Sequence, residues 1–287
     1  MPDNGHAGVP RWLLLRRISQ TGVLLLFLAG PWWGIWVLKG DLAASELAGT
    51  LPLADPFILL QSFFAGHIPE TRALLGALVV GLAYGVVGGR VYCSWVCPIN
   101  VVTDAAAWLR RRLGIPQDVK FSKSARYWLV GVVLLVSLVT GSIAWELVNP
   151  ITLFQRGLVF GLGLVPLLVL AIFGFDLLIM KHGWCGHVCP VGAFYGLLGS
   201  RGIVGVAARR RTDCTRCGDC FEICPEPQVI SGPLYGAGEG KADFISDPDC
   251  LNCGRCIDVC PEQVFRFVLE PSSRWTADRR IPLRNLR

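Results

Sequence analysis

The chain has 287 residues, 53% of them hydrophobic and only 17% charged, with a mean hydropathy of +0.50. That composition excludes an ordinary soluble globular protein, in which charged residues make up about a quarter. The formal net charge of +6 does not point to nucleic acid, because the basic residues gather beside apolar segments rather than on one recognition face.

In chain order, four stretches carry no Asp, Glu, Lys or Arg: residues 18–38, 73–89, 127–145 and 157–175. Each has roughly bilayer length, about 17–25 residues. A buried core helix would explain any one of them; four, each fenced by charges, predict membrane spans. Trp12, Trp32, Trp33, Trp36, Trp128 and Trp145 stand near span ends, as an aromatic belt requires. Arg16-Arg17 before the first span resembles the start of a secretory signal. The apolar run continues through Pro31 and three tryptophans without a small-residue cleavage site, which predicts a retained helix.

Lys and Arg concentrate before the first span, between the second and third, and after the fourth. The opposite loops hold only Lys39, Arg72 and Arg156. The positive-inside rule then puts both termini, and all twelve cysteines, on the cytoplasmic face of a bacterial inner membrane.

The membrane part reads as duplicated. Cys93 and Cys97 form one C-x3-C-P motif ending at Pro98, and Cys185 and Cys189 form another ending at Pro190. Pro56 precedes Cys93 by 37 residues and Pro150 precedes Cys185 by 35. Two spans separate the motifs, so a parallel repeat returns both to one membrane face, where the four thiols could converge. Each proline opens a predicted helix, 99–113 and 191–198, which places Cys97 and Cys189 at helix starts that favour a thiolate. Three readings compete for the four cysteines: a redox-active dithiol or metal site, a structural four-cysteine metal site, and inert buried thiols. His187 sits in the second motif only, so ligation by it would break the repeat.

The other eight cysteines form a doubled C-x2-C-x2-C-x3-C-P pattern, Cys214 to Pro225 and Cys250 to Pro261. That is the bacterial two-cluster signature, in which the fourth cysteine of each run serves the other cluster. Cluster one is expected on Cys214, Cys217, Cys220 and Cys260, and cluster two on Cys250, Cys253, Cys256 and Cys224. Zinc ribbons space their pairs differently, and a reducing cytoplasm disfavours disulfides. The expected fold is an α-helical membrane protein: a four-span domain over 1–205 in two repeated halves, a two-[4Fe–4S] ferredoxin-like α+β domain over 206–265, and a basic tail over 266–287.

The chain has no c-type haem motif and no P-loop or dinucleotide fingerprint, and none of its four histidines lies at mid-span. Electrons crossing the bilayer therefore need a mobile carrier, and a quinone is the natural one. His67 is the only histidine on the outer side, with Asp55, Glu70 and Glu146 as companions able to take up protons; Trp32, Trp33 and Trp36 could stack on the ring. A plain loop hydrogen bond is the competing reading for His67. Three functions compete: a quinol dehydrogenase component, a copper or metal reductase or assembly factor built on the C-x3-C-P cysteines, and a structural anchor for a redox partner.

Gly30-Pro31-Trp32, Leu60-Gln61-Ser62 with Gly66-His67, the segment from Cys93 to Pro98, Trp145-Glu146 through Asn149-Pro150, and the segment from His182 to Ala193 form a further set of motifs. With them the chain resembles the NapH family of membrane ferredoxin-type subunits associated with periplasmic nitrate reductase. It implies a subunit that oxidises quinol and, with a periplasmic iron–sulfur partner, passes electrons toward nitrate reductase. Related membrane ferredoxin-type proteins use C-x3-C-P pairs in other roles, including copper reduction.

Overall fold

The computed structural model describes residues 10–115 and 122–269. Helix α1 (Arg11–Trp33) begins at Pro10 and ends at Gly34, earlier at both ends than the expected span at 18–38. At the start the reason is electrostatic, because Arg16 is buried 3.5 Å from Asp104, which also pairs with the half-buried Arg17; at the end Gly34 takes the left-handed conformation that closes a helix. A three-stranded antiparallel meander follows, β1 (Leu38–Gly40), β2 (Ala44–Leu47) and β3 (Leu51–Ala54), which the sequence reading did not anticipate.

The two halves then run in parallel. In the first, α2 (Pro56–Phe64) leads to α3 (Thr71–Val87), the one-turn α4 (Val91–Trp95) and α5 (Ile99–Arg112). In the second, which opens with α6 (Ala125–Thr140), α7 (Pro150–Phe160) leads to α8 (Val165–Gly174), extended by a π-helical turn Phe175–Ile179, and then to α9 (Pro190–Leu198). The repeat extends to the caps. Asp55 Oδ1 accepts from Phe57 N at 2.9 Å and Asn149 Oδ1 from Ile151 N at 3.2 Å, each before a proline that opens its helix.

The fourth expected span, 157–175, is not one helix. Gly161 (φ +112°) and Gly163 (φ +44°) turn the chain between α7 and α8, a conformation that glycine adopts without steric cost. The helix then continues past Asp176, which is buried and accepts from Trp184 N at 2.9 Å. Among the described residues α1 alone is long and apolar enough to cross a membrane by length and composition; α3, α6 and Val165–Ile179 are shorter apolar helices. Trp32, Trp33, Trp36 and Trp128 are exposed, whereas Trp145 is buried and Trp12 packs against Phe267 at 4.5 Å. The belt reading therefore fails for the last two.

The C-terminal unit comprises β4 (Val204–Ala207), α10 (Asp219–Ile223), α11 (Gln228–Tyr235), α12 (Arg255–Val259) and β5 (Arg266–Leu269). Strands β4 and β5 pair antiparallel, Val204 opposite Leu269. The expected tail at 266–287 thus loses its first four residues to this unit, and its remainder lies outside the described residues. Val206, Ile230, Leu234, Ile245, Val264 and Phe265 form the core with Cys220 and Cys256, and Cys214, Cys224, Cys250 and Cys260 pack against it.

Candidate iron–sulfur sites

Cys214, Cys217, Cys220 and Cys260 line one chamber. Cys224, Cys250, Cys253 and Cys256 line another. The exchange of fourth cysteines follows from the paired short helices: α10 ends at Cys224 and α12 at Cys260, and the two helices pack on each other. Burial pushes the thiol of Cys220 up to about 11 and that of Cys224 up to about 12, so iron binding there must displace protons. The surroundings suit an anionic cluster. Arg16 and Arg255 are buried next to Cys253, and Nε and Nη1 of Arg16 and Nη1 of Arg255 have no hydrogen-bond partner in the protein. A cluster seated there would accept from such donors, and its iron would supply one-electron redox chemistry.

The four C-x3-C-P cysteines come from both halves and line a single third chamber with Tyr92, Ile99, Pro150, Ile151, Trp184 and Val191. The x3 spacing has a local cause. Cys97 N donates to Tyr92 O at 3.0 Å and Cys189 N to Trp184 O at 2.8 Å. Each motif thus makes the same wide turn, which brings its two cysteines to one wall of the chamber. The thiolate expected at the helix starts is not favoured. Burial outweighs the helix dipole, pushing Cys189 up to about 12 and Cys97 and Cys185 well above their usual value. Cys93 is raised too, against the opposing pull of the Arg90 guanidinium. Among the described residues no three His, Cys, Asp or Glu groups converge closely enough for a single metal ion, and this holds for the ferredoxin sets as well as for the third chamber. His187 does not line the chamber.

The chamber and the C-terminal unit are joined at α4. Arg90 N donates to Cys250 O at 3.1 Å, Ser94 Oγ to Leu251 O at 2.7 Å and Trp95 Nε1 to Asn252 O at 3.0 Å. The helix that carries Cys93 therefore sits on the loop that carries Cys250 and Cys253. Around this seam lie two buried charge networks. Glu226 is paired with Arg90 at 2.9 Å, with Arg126 at 3.4 Å and with Lys123, and Arg126 also pairs with Asp249. Against its burial, Arg90 and Lys123, with a hydrogen bond from Gln228, hold Glu226 down to about 2. Asp104 pairs with Arg16, Arg17 and Arg255. Sequence reasoning missed these residues because it counted the arginines as topology signals. Their positions beside motifs, Arg90 before Cys93 and Glu226 after Cys224-Pro225, are the signal that was there to find.

The proposed outer constellation is not assembled. His67 is exposed, with Nε2 3.2 Å from Gly141 O. Asp55 is buried and takes the Tyr195 hydroxyl at 3.2 Å, while Glu146 faces Arg156 at 3.3 Å and Asn149 at 3.1 Å. Each group is engaged by different partners.

A family model described as a 4Fe-4S binding domain matches residues 71–116 and again 162–207, one C-x3-C-P motif in each, and a 4Fe-4S dicluster domain matches 206–261. The chain is 51% identical to the ferredoxin-type protein NapH of Escherichia coli over 78% of each chain. It belongs to the NapH/MauN family of ferredoxin-type proteins. The methylamine utilization ferredoxin-type protein MauN of Methylorubrum extorquens is 53% identical over 79% of each chain, and MauN of Paracoccus denitrificans 51% identical over 82% of this chain and 83% of its own. No solved structure matches. Membership in this family makes the chain a ferredoxin-type iron–sulfur electron-transfer protein with two kinds of 4Fe-4S domain.

Proposed function

We propose that this NapH/MauN family member is a four-span inner-membrane component of a quinol dehydrogenase. It takes electrons from quinol and passes them, through clusters on Cys214, Cys217, Cys220 and Cys260 and on Cys224, Cys250, Cys253 and Cys256, to a redox partner. The observation that carries this reading is the seam at α4, where an apolar helical body is fixed directly to a cluster-ligating loop. The spans are α1, α3, α6 and Val165–Ile179. Leu25, Leu78, Leu135 and Leu167, one on each, are exposed, forming more apolar surface than a soluble monomer leaves open. The three shorter helices reach roughly 22–26 Å at 1.5 Å per residue, so a hydrocarbon core of about 30 Å thins around them or their flanks snorkel.

The start of α1 meets Asp258 of the ferredoxin unit, and Arg126 at the start of α6 meets Asp249. The basic ends of the spans and the clusters therefore share one side, the cytoplasmic one in this reading. His67, at the opposite end of α6 beside Gly141, accepts a proton as quinol is oxidised. Each quinol releases two electrons and two protons: the electrons pass one at a time to the clusters, and the second proton goes to the solvent to which His67 is exposed. By likeness to NapH the electrons continue to a periplasmic iron–sulfur partner and nitrate reductase. The MauN relatives, at 53% identity against 51%, favour a second reading in which the same carrier serves methylamine utilization.

The test is reduction of the clusters by a quinol analogue in anaerobic membranes, followed by the loss of cluster absorbance. Wild-type protein is reduced within turnover time, and His67→Ala slows the step about 100-fold, the usual weight of a positioned proton acceptor. Intact clusters that stay oxidised under excess quinol would overturn the assignment, and an unslowed His67→Ala would overturn the placement of the quinol site.

A further inference from the structure

We propose that Cys93, Cys97, Cys185 and Cys189 together hold a third [4Fe–4S] cluster, a single one shared by the two repeated halves. The inference builds on the iron–sulfur electron-transfer reading of the chain, but it concerns a site that the two-cluster pattern does not include. Each half contributes two thiols, and a cubane needs four; neither half can hold such a cluster alone. The structure brings all four to the lining of one chamber, as it brings each ferredoxin set of four to the lining of its own. Among the described residues no three His, Cys, Asp or Glu groups are placed to hold one metal ion, and this is as true of the ferredoxin sets as of these four thiols. A cubane places its ligands at its corners and so spaces them more widely than one ion does.

The charge of the chamber agrees with this occupant. A cubane with four thiolate ligands is anionic, and the four thiols release their protons as they bind iron. Arg90, 1% exposed, stands beside Cys93 and Cys185, donates to Cys185 O, and keeps an Nε with no partner. Pro150 and Ile151 bring the N-terminal end of the 11-residue α7 to the chamber wall, and that end carries partial positive charge. Ile99, Ile151 and Val191 close the remaining wall against water. Position completes the case. The chamber lies inside the helical body and is joined through α4 to the Cys250 loop, so a cluster here is an intermediate stop between the quinol end and the ferredoxin pair.

The full-length protein, purified anaerobically in detergent, is assayed for iron and acid-labile sulfide. The expected content is about twelve of each per chain, against about eight for the ferredoxin pair alone. Cys97→Ala and Cys189→Ala should each remove about four irons while the EPR signals of the ferredoxin clusters persist. Cys217→Ala, at an exposed ligand of the first ferredoxin chamber, should likewise leave about eight, and it stands in if the buried variants fail to fold. About eight irons in the wild type, unchanged iron in a folded Cys97→Ala or Cys189→Ala protein, or stoichiometric copper or zinc in the chamber would overturn the proposal. Clusters that are present in full but idle toward quinol would instead count against the quinol reading, leaving the third cluster standing.

Discussion

Arg90 meets Glu226, the carbonyl of Cys185 and, through its own backbone, the carbonyl of Cys250. Removing one partner of a buried ion pair costs about 3–5 kcal/mol, because the other charge is left stranded; here the stranded group would lie between the C-x3-C-P chamber and the Cys250 loop. His182 shows the same economy of burial. It is 3% exposed, 3.9 Å from Asp104, and lowered to about 3 by burial first and then by Arg255. Its folded value lies below the unfolded one, so the neutral ring's contribution is complete above about pH 6.5. It is lost progressively as pH falls toward the folded value. Between about pH 6.5 and 5 the wild type should lose stability by up to about 1.4 kcal/mol per pH unit from this one group. His182→Asn should flatten that slope, as read from thermal midpoints of detergent-solubilised protein at each pH.

At the scale of elements, α2 and α7 are the least ordinary pieces. Both are short, begin at a capped proline inside the protein, and share the core with the C-x3-C-P cysteines, as Phe57 and Ile151 show. Asn149→Ala should cost about 1 kcal/mol, the usual value of a side-chain cap. Asp55→Ala should cost about 1–3 kcal/mol more, because it also strands the buried hydroxyl of Tyr195. Equal shifts in the unfolding midpoints of the two variants would show that the Tyr195 bond contributes nothing. The sequence marks these helices through Asp55-Pro56 and Asn149-Pro150, yet span-finding by length passes over them, since nine and eleven residues fall short of a bilayer. The meander β1–β3 is hidden for a related reason: strands of three or four residues vanish inside any hydropathy window. Charge fencing misplaced the fourth span, because Asp176 is buried and hydrogen-bonded rather than solvated.

At the scale of the molecule, the cysteine spacings were the most legible part, because a cubane dictates ligand order along the chain as closely as it dictates ligand geometry. The seams between units were the least legible. Buried arginines and glutamates look like surface charge until a partner from a distant segment is seen, as with Glu226 and Arg126, 100 residues apart. The topology proposed for the four spans predicts that an alkaline phosphatase fused after the C-terminus stays inactive in cells, while a fusion in the loop holding His67 is active. The reverse pattern would invert the orientation.

The α4 seam also fixes how the protein handles distance. Main-chain carbonyls of residues 250, 251 and 252 are each gripped by the segment 90–95, and Trp12 N and Leu13 N both donate to Asp258 from the other side. A domain clamped at two places cannot swing between a loading and an unloading position, as tethered carriers do. Electrons must tunnel across gaps set once, during folding. Their passage inside the molecule is then indifferent to the viscosity of the medium, and only the encounters with an electron donor and an electron acceptor depend on diffusion.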